Sequence, residues 1–249
     1  MAKQEGILQI KGTLDNLTFY KSQDGFLVRK KGGVSKNKIK NSSSYARTRE
    51  NNEEFKQCAV SAKMLRKSVG MFVLKAKDSR LTSRLVQLFT PIKKLDTVHV
   101  RGARTVAQGL TTLEGKQLLK GFDFNYRSAL STVFNSQFDL NYSTGVITFE
   151  PFIALENMVV PPGATHFKLQ CAYLNLDFTT GVFEVCYSPA VPFTIDETLI
   201  TPVLTPIAVP SGTGLKLYFL LVEFYQEVNN TLYVLHHGSY NVLNILDVQ

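Results

Sequence analysis

The spacing of apolar positions changes along the chain, from helical periodicity in the first half to alternation in the second. Short alternating stretches between Gly6 and Lys31 predict a small antiparallel sheet with a hairpin, whose turn uses the conformational freedom of Gly25. The predicted first strand contains Ile7, Leu8 and Ile10. The composition of segment 36–44 predicts a basic, polar loop.

Helical spacing predicts a first long helix from Tyr45 to about Val69. Its expected apolar stripe consists of Phe55, Cys58, Ala59, Ala62, Leu65 and Val69. A second helix is expected to begin at Asp78 or Ser79, with Pro91 interrupting its end.

From Leu118 onward, about eight alternating stretches are separated by Pro/Gly turns, a pattern typical of an antiparallel β-sandwich. Two of these stretches, 139–149 and 176–185, share a strand, a Thr-Gly-Val turn and a second strand. The expected fold is therefore α+β and mostly β, with an immunoglobulin- or fibronectin-like sandwich. We predict a hairpin-plus-helices module at residues 1–115 and a β-sandwich module at 116–249.

Charge is distributed unevenly over the two halves of the chain. Residues 1–120 hold 25 Lys/Arg and 9 Asp/Glu, whereas residues 121–249 hold 3 Lys/Arg and 11 Asp/Glu. A basic half and an acidic half allow head-to-tail attraction between copies, so the chain is expected to form a homo-oligomer or polymer.

The basic charge is densest just after the predicted hairpin, and it forms a candidate contact surface. Its members are Arg29, Lys30, Lys31, Lys36, Lys38, Lys40, Arg47 and Arg49. With Tyr20, Phe26 and Tyr45 nearby for stacking, these residues could neutralise phosphates of a nucleic acid. The alternative is a solvated surface that meets the acidic half of the chain or of another copy.

No motif for catalysis or metal binding accompanies this surface. The four histidines lack metal-type spacing, and no G-x-S-x-G sequence occurs. The glycine-containing segment 211–214 is not directly followed by the Lys that a phosphate loop needs, and it leads into a predicted strand. The sequence therefore predicts no enzyme activity, no catalytic, cofactor or metal site, and no small-molecule substrate.

Cysteines and leader segments bear on the compartment. Cys58, Cys171 and Cys186 are expected to be buried free thiols, and Cys171 and Cys186 would pair only in an oxidising place. The first ten residues lack the apolar run of a secretory signal, and the longest apolar run, Leu217–Val222, is too short to span a bilayer. We expect synthesis in the cytoplasm, after which the protein could become part of a released or phage-like particle.

Three functions fit these observations. The favoured one is a non-enzymatic structural protein that self-associates into a filament, sheath or virion-like particle through its basic N-terminal module and its aromatic-rich β-sandwich. The two halves have opposite charge, and the β-half has few of the charged residues that usually prevent edge strands from pairing. The alternative is an architectural nucleic-acid-binding protein that uses residues 29–67. A carbohydrate- or surface-binding sandwich is the second alternative, which the absence of Trp disfavours.

Several short motifs resemble those of a Bacteroidota protein family of unknown function, which has an N-terminal hairpin/helix segment and a β-rich C-terminal half. They lie at 6–8, 12–14, 17–21, 25–33, 47–55, 78–85, 119–124 and 162–167. The resemblance implies a common lineage and a two-part layout. It assigns no site residue.

Overall fold

The structure is a computed structural model that describes residues 2–6, 9–76 and 78–249. Two compact units result, Met1–Glu50 and Asn51–Gln249. The sequence-based division into modules lies later, between residues 115 and 116. Ile7 and Leu8 of the expected first strand lie outside the described residues.

The first unit contains a four-stranded antiparallel sheet with the strand order β1-β4-β3-β2. Its strands are β1 (Ala2–Lys3), β2 (Gly12–Leu14), β3 (Leu17–Ser22) and β4 (Gly25–Lys30). Ser22 pairs with Gly25, which has a φ of 105°, so two residues connect β3 and β4. Among the described residues of this unit, only Leu27 is buried.

The segment predicted as a basic loop contains helix α1 (Lys36–Asn41) and a 3₁₀ turn at Ser43–Tyr45. The Ser35 hydroxyl caps α1 by accepting a hydrogen bond from the Lys38 N–H at 3.3 Å. At the other end, the Arg49 guanidinium donates to the carbonyls of Ile39 and Ser42, both at 2.8 Å. These end contacts stabilise a helix that its apolar pattern does not predict.

Helical periodicity located the two long helices well. Helix α2 spans Ala46–Ser68 and α4 spans Leu81–Lys94, which continues through Pro91 rather than ending there. Ile92 is fully buried just beyond the proline, and the packing of its apolar side chain offsets the hydrogen bond that Pro91 cannot donate. The shorter helices are α3 (Gly70–Lys75), α5 (Val106–Gly109), α6 (Leu113–Leu119), α7 (Leu130–Val133) and α8 (Ala154–Asn157).

The large sheet of the second unit is antiparallel and is built around two long, directly paired strands, β8 (His166–Leu176) and β13 (Leu215–Val228). Strands β9 (Phe183–Tyr187) and β10 (Val191–Thr194) pair with β8. Strands β14 (Thr231–Val234) and β15 (Val242–Val248) pair with β13.

The other described strands of the second unit form two smaller sheets. One has the order β12-β6-β5 and the other pairs β11 with β7. Their ranges are β5 (Phe138–Leu140), β6 (Ile147–Phe149), β7 (Phe152–Ile153), β11 (Leu199–Ile200) and β12 (Val203–Leu204). With 31% helix and 31% strand, the chain has the α+β class that its sequence predicts.

Both faces of the large sheet are buried, each in its own hydrophobic core. Side chains alternate between the faces of a strand, so Leu217, Phe219 and Leu221 pack with the helices. Tyr218 and Leu220 pack on the opposite side with the small sheets. The second unit therefore has a helical layer, a central sheet and a β-layer, the last formed by β5–β7, β11, β12 and α8.

The two Thr-Gly-Val turns have the same local structure. The carbonyls of Asn141 and Asp177 accept the N–H of Gly145 at 2.7 Å and of Gly181 at 2.8 Å. The same two side chains accept turn N–H groups, at 2.9 Å from Ser143 for Asn141 and at 2.7 Å from Thr179 for Asp177. The sequence similarity therefore reflects one turn design used twice.

The three cysteines, Cys58, Cys171 and Cys186, are free and buried. Burial raises the pKa of the Cys171 thiol to about 11. Within the described part of the chain, no helix is long and apolar enough to cross a membrane.

Candidate functional site

The eight basic residues predicted as a contact surface all lie in the first unit. Arg29 and Lys30 end β4, Lys31 follows them, and Lys36, Lys38 and Lys40 lie on α1. Arg47 and Arg49 lie near the start of α2. All except Arg49 are exposed. This unit holds 11 Lys/Arg and 4 Asp/Glu, so most of the net charge of +8 belongs to it.

Three of these residues have intramolecular contacts that reduce their availability to a ligand. Arg49 is bound to the carbonyls at the end of α1 and therefore has a structural role. Arg47 forms an exposed ion pair with Glu50 at 3.0 Å. The Arg29 guanidinium lies 5.5 Å from the centre of the Tyr20 ring. The five lysines remain the accessible part of the predicted surface.

A second group of cationic side chains, which the sequence did not single out, lies in the second unit. It lines an open cleft of about 470 Å³ between α2, α4 and the loop after α4. We call it the Phe55 cleft. Its principal lining residues are Glu54, Phe55, Lys93, Lys94, Arg101 and Arg104.

A buried ion pair forms the floor of the cleft. The Lys93 ammonium on α4 donates to the Glu54 carboxylate on α2, and the two side chains are 9% and 6% exposed. The other carboxylate oxygen of Glu54 accepts the Gly102 N–H at 2.8 Å. Burial raises the pKa of Glu54, but the Gly102 N–H, Lys93 and Arg104 together hold it below its usual value.

The loop that carries Arg101 and Arg104 is organised by Asp96, which is 1% exposed. Its carboxylate accepts the N–H groups of Val98 and His99 at 3.0 Å and of Thr105 at 2.8 Å. The His99 Nδ1 also lies 2.8 Å from Asp96 Oδ2. Burial raises the pKa of Asp96, but these hydrogen bonds outweigh it and lower the pKa to about 2.

Replacing Asp96 by Asn is expected to lower the free energy of unfolding at pH 7 by about 2 kcal/mol, in line with the pKa shift from 3.8 to about 2. Because the folded-state pKa is depressed, this stabilisation is present above pH 3.8 and is lost as the pH falls through about 2. Urea denaturation at pH 7, 4 and 3 measures the difference.

The exposed Asp139 supplies the control for this experiment. Asp139→Asn is expected to change the free energy of unfolding by no more than about 0.5 kcal/mol. A loss of stability in Asp96→Asn that is as large at pH 3 as at pH 7 would contradict the assigned charge.

Two side chains of the Phe55 cleft are unusual for a merely structural cluster. The Arg104 Nε is buried and has no hydrogen-bond partner among the described residues. An unpaired buried polar group of this kind costs about 1–3 kcal/mol. Phe55, predicted to lie on the buried stripe of α2, is 61% exposed instead.

A signal for this site was present in the sequence. Glu54, Cys58 and Ala62 follow each other at a spacing of four residues, so a carboxylate lies on the buried stripe of α2. A charged residue in such a stripe requires a buried partner. No local motif identifies Lys93 as that partner, because it lies on another helix.

The described residues hold no group of three or more His, Cys, Asp or Glu side chains that could bind a metal ion. The glycine-rich segment 211–214 lies beside β13, where the Asn175 side chain donates to the Gly212 carbonyl at 3.0 Å and accepts the Gly214 N–H at 2.9 Å. These hydrogen bonds give the segment a structural role next to the sheet.

Comparisons with protein-family models, with curated proteins and with solved structures give no match for this chain. The resemblance to the Bacteroidota family therefore stays a prediction. Functional inference depends on the two basic sites and on the surfaces of the two units.

Proposed function

We propose that this chain is a non-enzymatic structural protein that self-associates into a larger assembly, such as a filament, sheath or virion-like particle. The observation that carries the proposal is the first unit, whose four-stranded sheet buries only Leu27 among its described residues. Units of this size are marginally stable when they fold alone. Association with another surface would bury more apolar area.

The apolar side chains that such an association would cover are already exposed on the first unit. Leu14 is 62% exposed and Ile10 is 48% exposed. Leu17 and Val34 are 43% and 41% exposed. Leu17 on β3 pairs directly with the accessible Lys30 on β4, so this surface combines apolar contact with positive charge. A complementary partner surface would be apolar and acidic.

The β-layer of the second unit has that combination. Asp139, Glu150 and Glu156 are exposed on or beside its strands and α8. Leu199 and Val203 on β11 and β12 are 62% and 53% exposed. In this proposal, the large and small sheets act as the β-sandwich that the sequence predicts, and its acidic face receives the basic first unit of another copy.

Two charge-reversal variants, measured separately and as a mixture, test this contact. The first variant carries Lys30→Glu and Lys31→Glu, and the second carries Asp139→Lys and Glu150→Lys. Each alone is expected to have a lower mass by light scattering than the unchanged chain at low salt, because like charges then meet. An equimolar mixture is expected to recover the large species.

Exposed lysines of the helical layer provide a matched control. Lys63→Glu with Lys67→Glu changes the charge of α2 by the same amount and is expected to leave the mass unchanged. A wild-type chain that stays monomeric at high protein concentration would exclude the proposal. A mixture that recovers no large species would exclude this particular pair of surfaces.

A further inference from the structure

The Phe55 cleft combines features that the self-association does not require. Four cationic side chains line it together with one carboxylate, that of Glu54. Glu54 is already bound by Lys93 and by the Gly102 N–H. Lys94 and Arg104 therefore leave the cleft with a positive excess that would attract an anion.

Arg104 and Lys94 are the side chains best placed to receive that anion. The Arg104 side chain lines the cleft, and its Nε has no hydrogen-bond partner in the part of the chain that the structure describes. Lys94 is exposed and forms no ion pair or hydrogen bond with the described residues. The Arg101 guanidinium lines the same cleft and donates to the Asn51 side chain at 3.0 Å. Planar guanidinium groups match the oxygens of a phosphate in two-pronged hydrogen bonds.

Phe55 narrows the class of anion. Its ring lines the cleft and is 61% exposed, although the residue next to it on α2 is buried. An exposed aromatic ring beside phosphate-binding cations is the combination that binds nucleotides, since every base presents a flat face for stacking. A cleft of about 470 Å³ also exceeds the space that a lone phosphate needs.

We propose that the Phe55 cleft binds a nucleotide phosphate, with Arg104 and Lys94 on the phosphate and Phe55 against the base. The nucleotide is either free or part of a single strand. The buried Glu54–Lys93 pair and the Asp96-organised loop position the binding groups without contacting the ligand. The inference concerns the second unit alone and is independent of self-association.

Fluorescence anisotropy of the full chain with a labelled ten-residue oligothymidylate, at low salt, measures binding. Unlabelled adenosine monophosphate and inorganic phosphate serve as competitors. The double variant Arg104→Gln with Lys94→Gln is expected to weaken the oligonucleotide affinity by about tenfold or more. Phe55→Ala is expected to weaken the binding of the oligonucleotide and of adenosine monophosphate but not that of inorganic phosphate, because it removes only the stacking surface.

Lys63→Gln with Lys67→Gln is the matched control, because it removes the same charge from α2 outside the cleft, and it is expected to bind normally. Lys94→Gln alone, at an exposed position, tests the site without risk to folding. Competition by adenosine monophosphate indicates a free nucleotide, and binding of the oligonucleotide alone indicates a strand. The proposal is overturned if the control and cleft variants weaken binding equally, if only inorganic phosphate binds, or if none of the three binds.

Discussion

Replacing Lys93 by Met is expected to lower the free energy of unfolding by about 3–5 kcal/mol, because it leaves the buried Glu54 carboxylate without its ammonium partner. Both side chains are less than 10% exposed, so water compensates little for the lost partner. The Gly102 N–H and the charge of Arg104 remain close to the carboxylate, which places the loss toward the lower end of that range. Urea denaturation at pH 7 measures it.

The effect of Lys93→Met should depend on pH with a defined sign. In the unchanged chain, the folded-state pKa of Glu54 lies below the ordinary value of 4.5, so its contribution is present above that pH and is lost as the pH falls through the folded pKa. Without Lys93, burial is opposed less and raises the pKa of Glu54. The protonated side chain is then no longer an unpaired charge, and the difference between the two chains narrows below pH 4.5.

An exposed ion pair on α2, the helix that carries Glu54, provides the control. Lys56 lies 3.4 Å from Glu53, with side chains that are 69% and 60% exposed. Lys56→Met is expected to change stability by no more than about 0.5 kcal/mol. The double variant Glu54→Leu with Lys93→Met should be more stable than Lys93→Met alone, since it leaves no buried charge. Equal losses for Lys93→Met and Lys56→Met would contradict the burial of the pair.

How much of this fold the sequence predicts depends on whether the pattern is local. The long helices were located because their apolar residues recur within one element, and α2 was expected at Tyr45 to Val69 and is found at Ala46–Ser68. Helix α1 was missed because its ends are stabilised by Ser35 and Arg49 rather than by an apolar stripe. Propensity and periodicity carry no information about such end contacts.

The layering of the second unit required information that no local pattern holds. The apolar run Leu217–Val222 in β13 does not alternate, because one face of the strand packs on helices and the other on the small sheets. Burial on both faces can be inferred from such a run. The element that covers each face cannot be inferred in this way. This is why the sequence pattern predicts the helices and the strands in separate modules.

The Phe55 cleft shows the same limit for a functional site. Its cations come from α4 and from the loop that Asp96 organises, far in sequence from Glu54 and Phe55. The basic surface of the first unit was predictable because its lysines are neighbours in sequence. The sequence therefore favoured the site whose residues are contiguous over the one that the fold assembles.

The two Thr-Gly-Val turns provide a second large effect, together with its own control. Gly145 and Gly181 have φ values of 75° and 78°, so Ala at either position is expected to cost about 1–2 kcal/mol for the left-handed backbone. Their surroundings differ. A Cβ on Gly145 would lie 2.6 Å from Tyr173 Cδ1, whereas a Cβ on Gly181 would lie 3.2 Å from the flexible end of Met64.

Tyr173 has little freedom to move away from such a Cβ. Its side chain is fully buried and stacks on Tyr218 with ring centres 4.6 Å apart. Both hydroxyl groups donate to the Tyr142 carbonyl, at 3.4 Å from Tyr173 and 2.5 Å from Tyr218. Relieving the overlap would therefore disturb the core beneath the β-layer, which adds about 1–3 kcal/mol to the backbone cost.

Gly145→Ala is therefore expected to lower the free energy of unfolding by about 2–5 kcal/mol, and Gly181→Ala by about 1–2 kcal/mol. Urea denaturation of both variants measures the difference, and near-ultraviolet circular dichroism of the tyrosines should change in Gly145→Ala only. Equal losses in the two variants would mean that Tyr173 yields without cost. A larger loss for Gly145→Ala would show that turns with one sequence motif differ in tolerance because of the side chains beneath them.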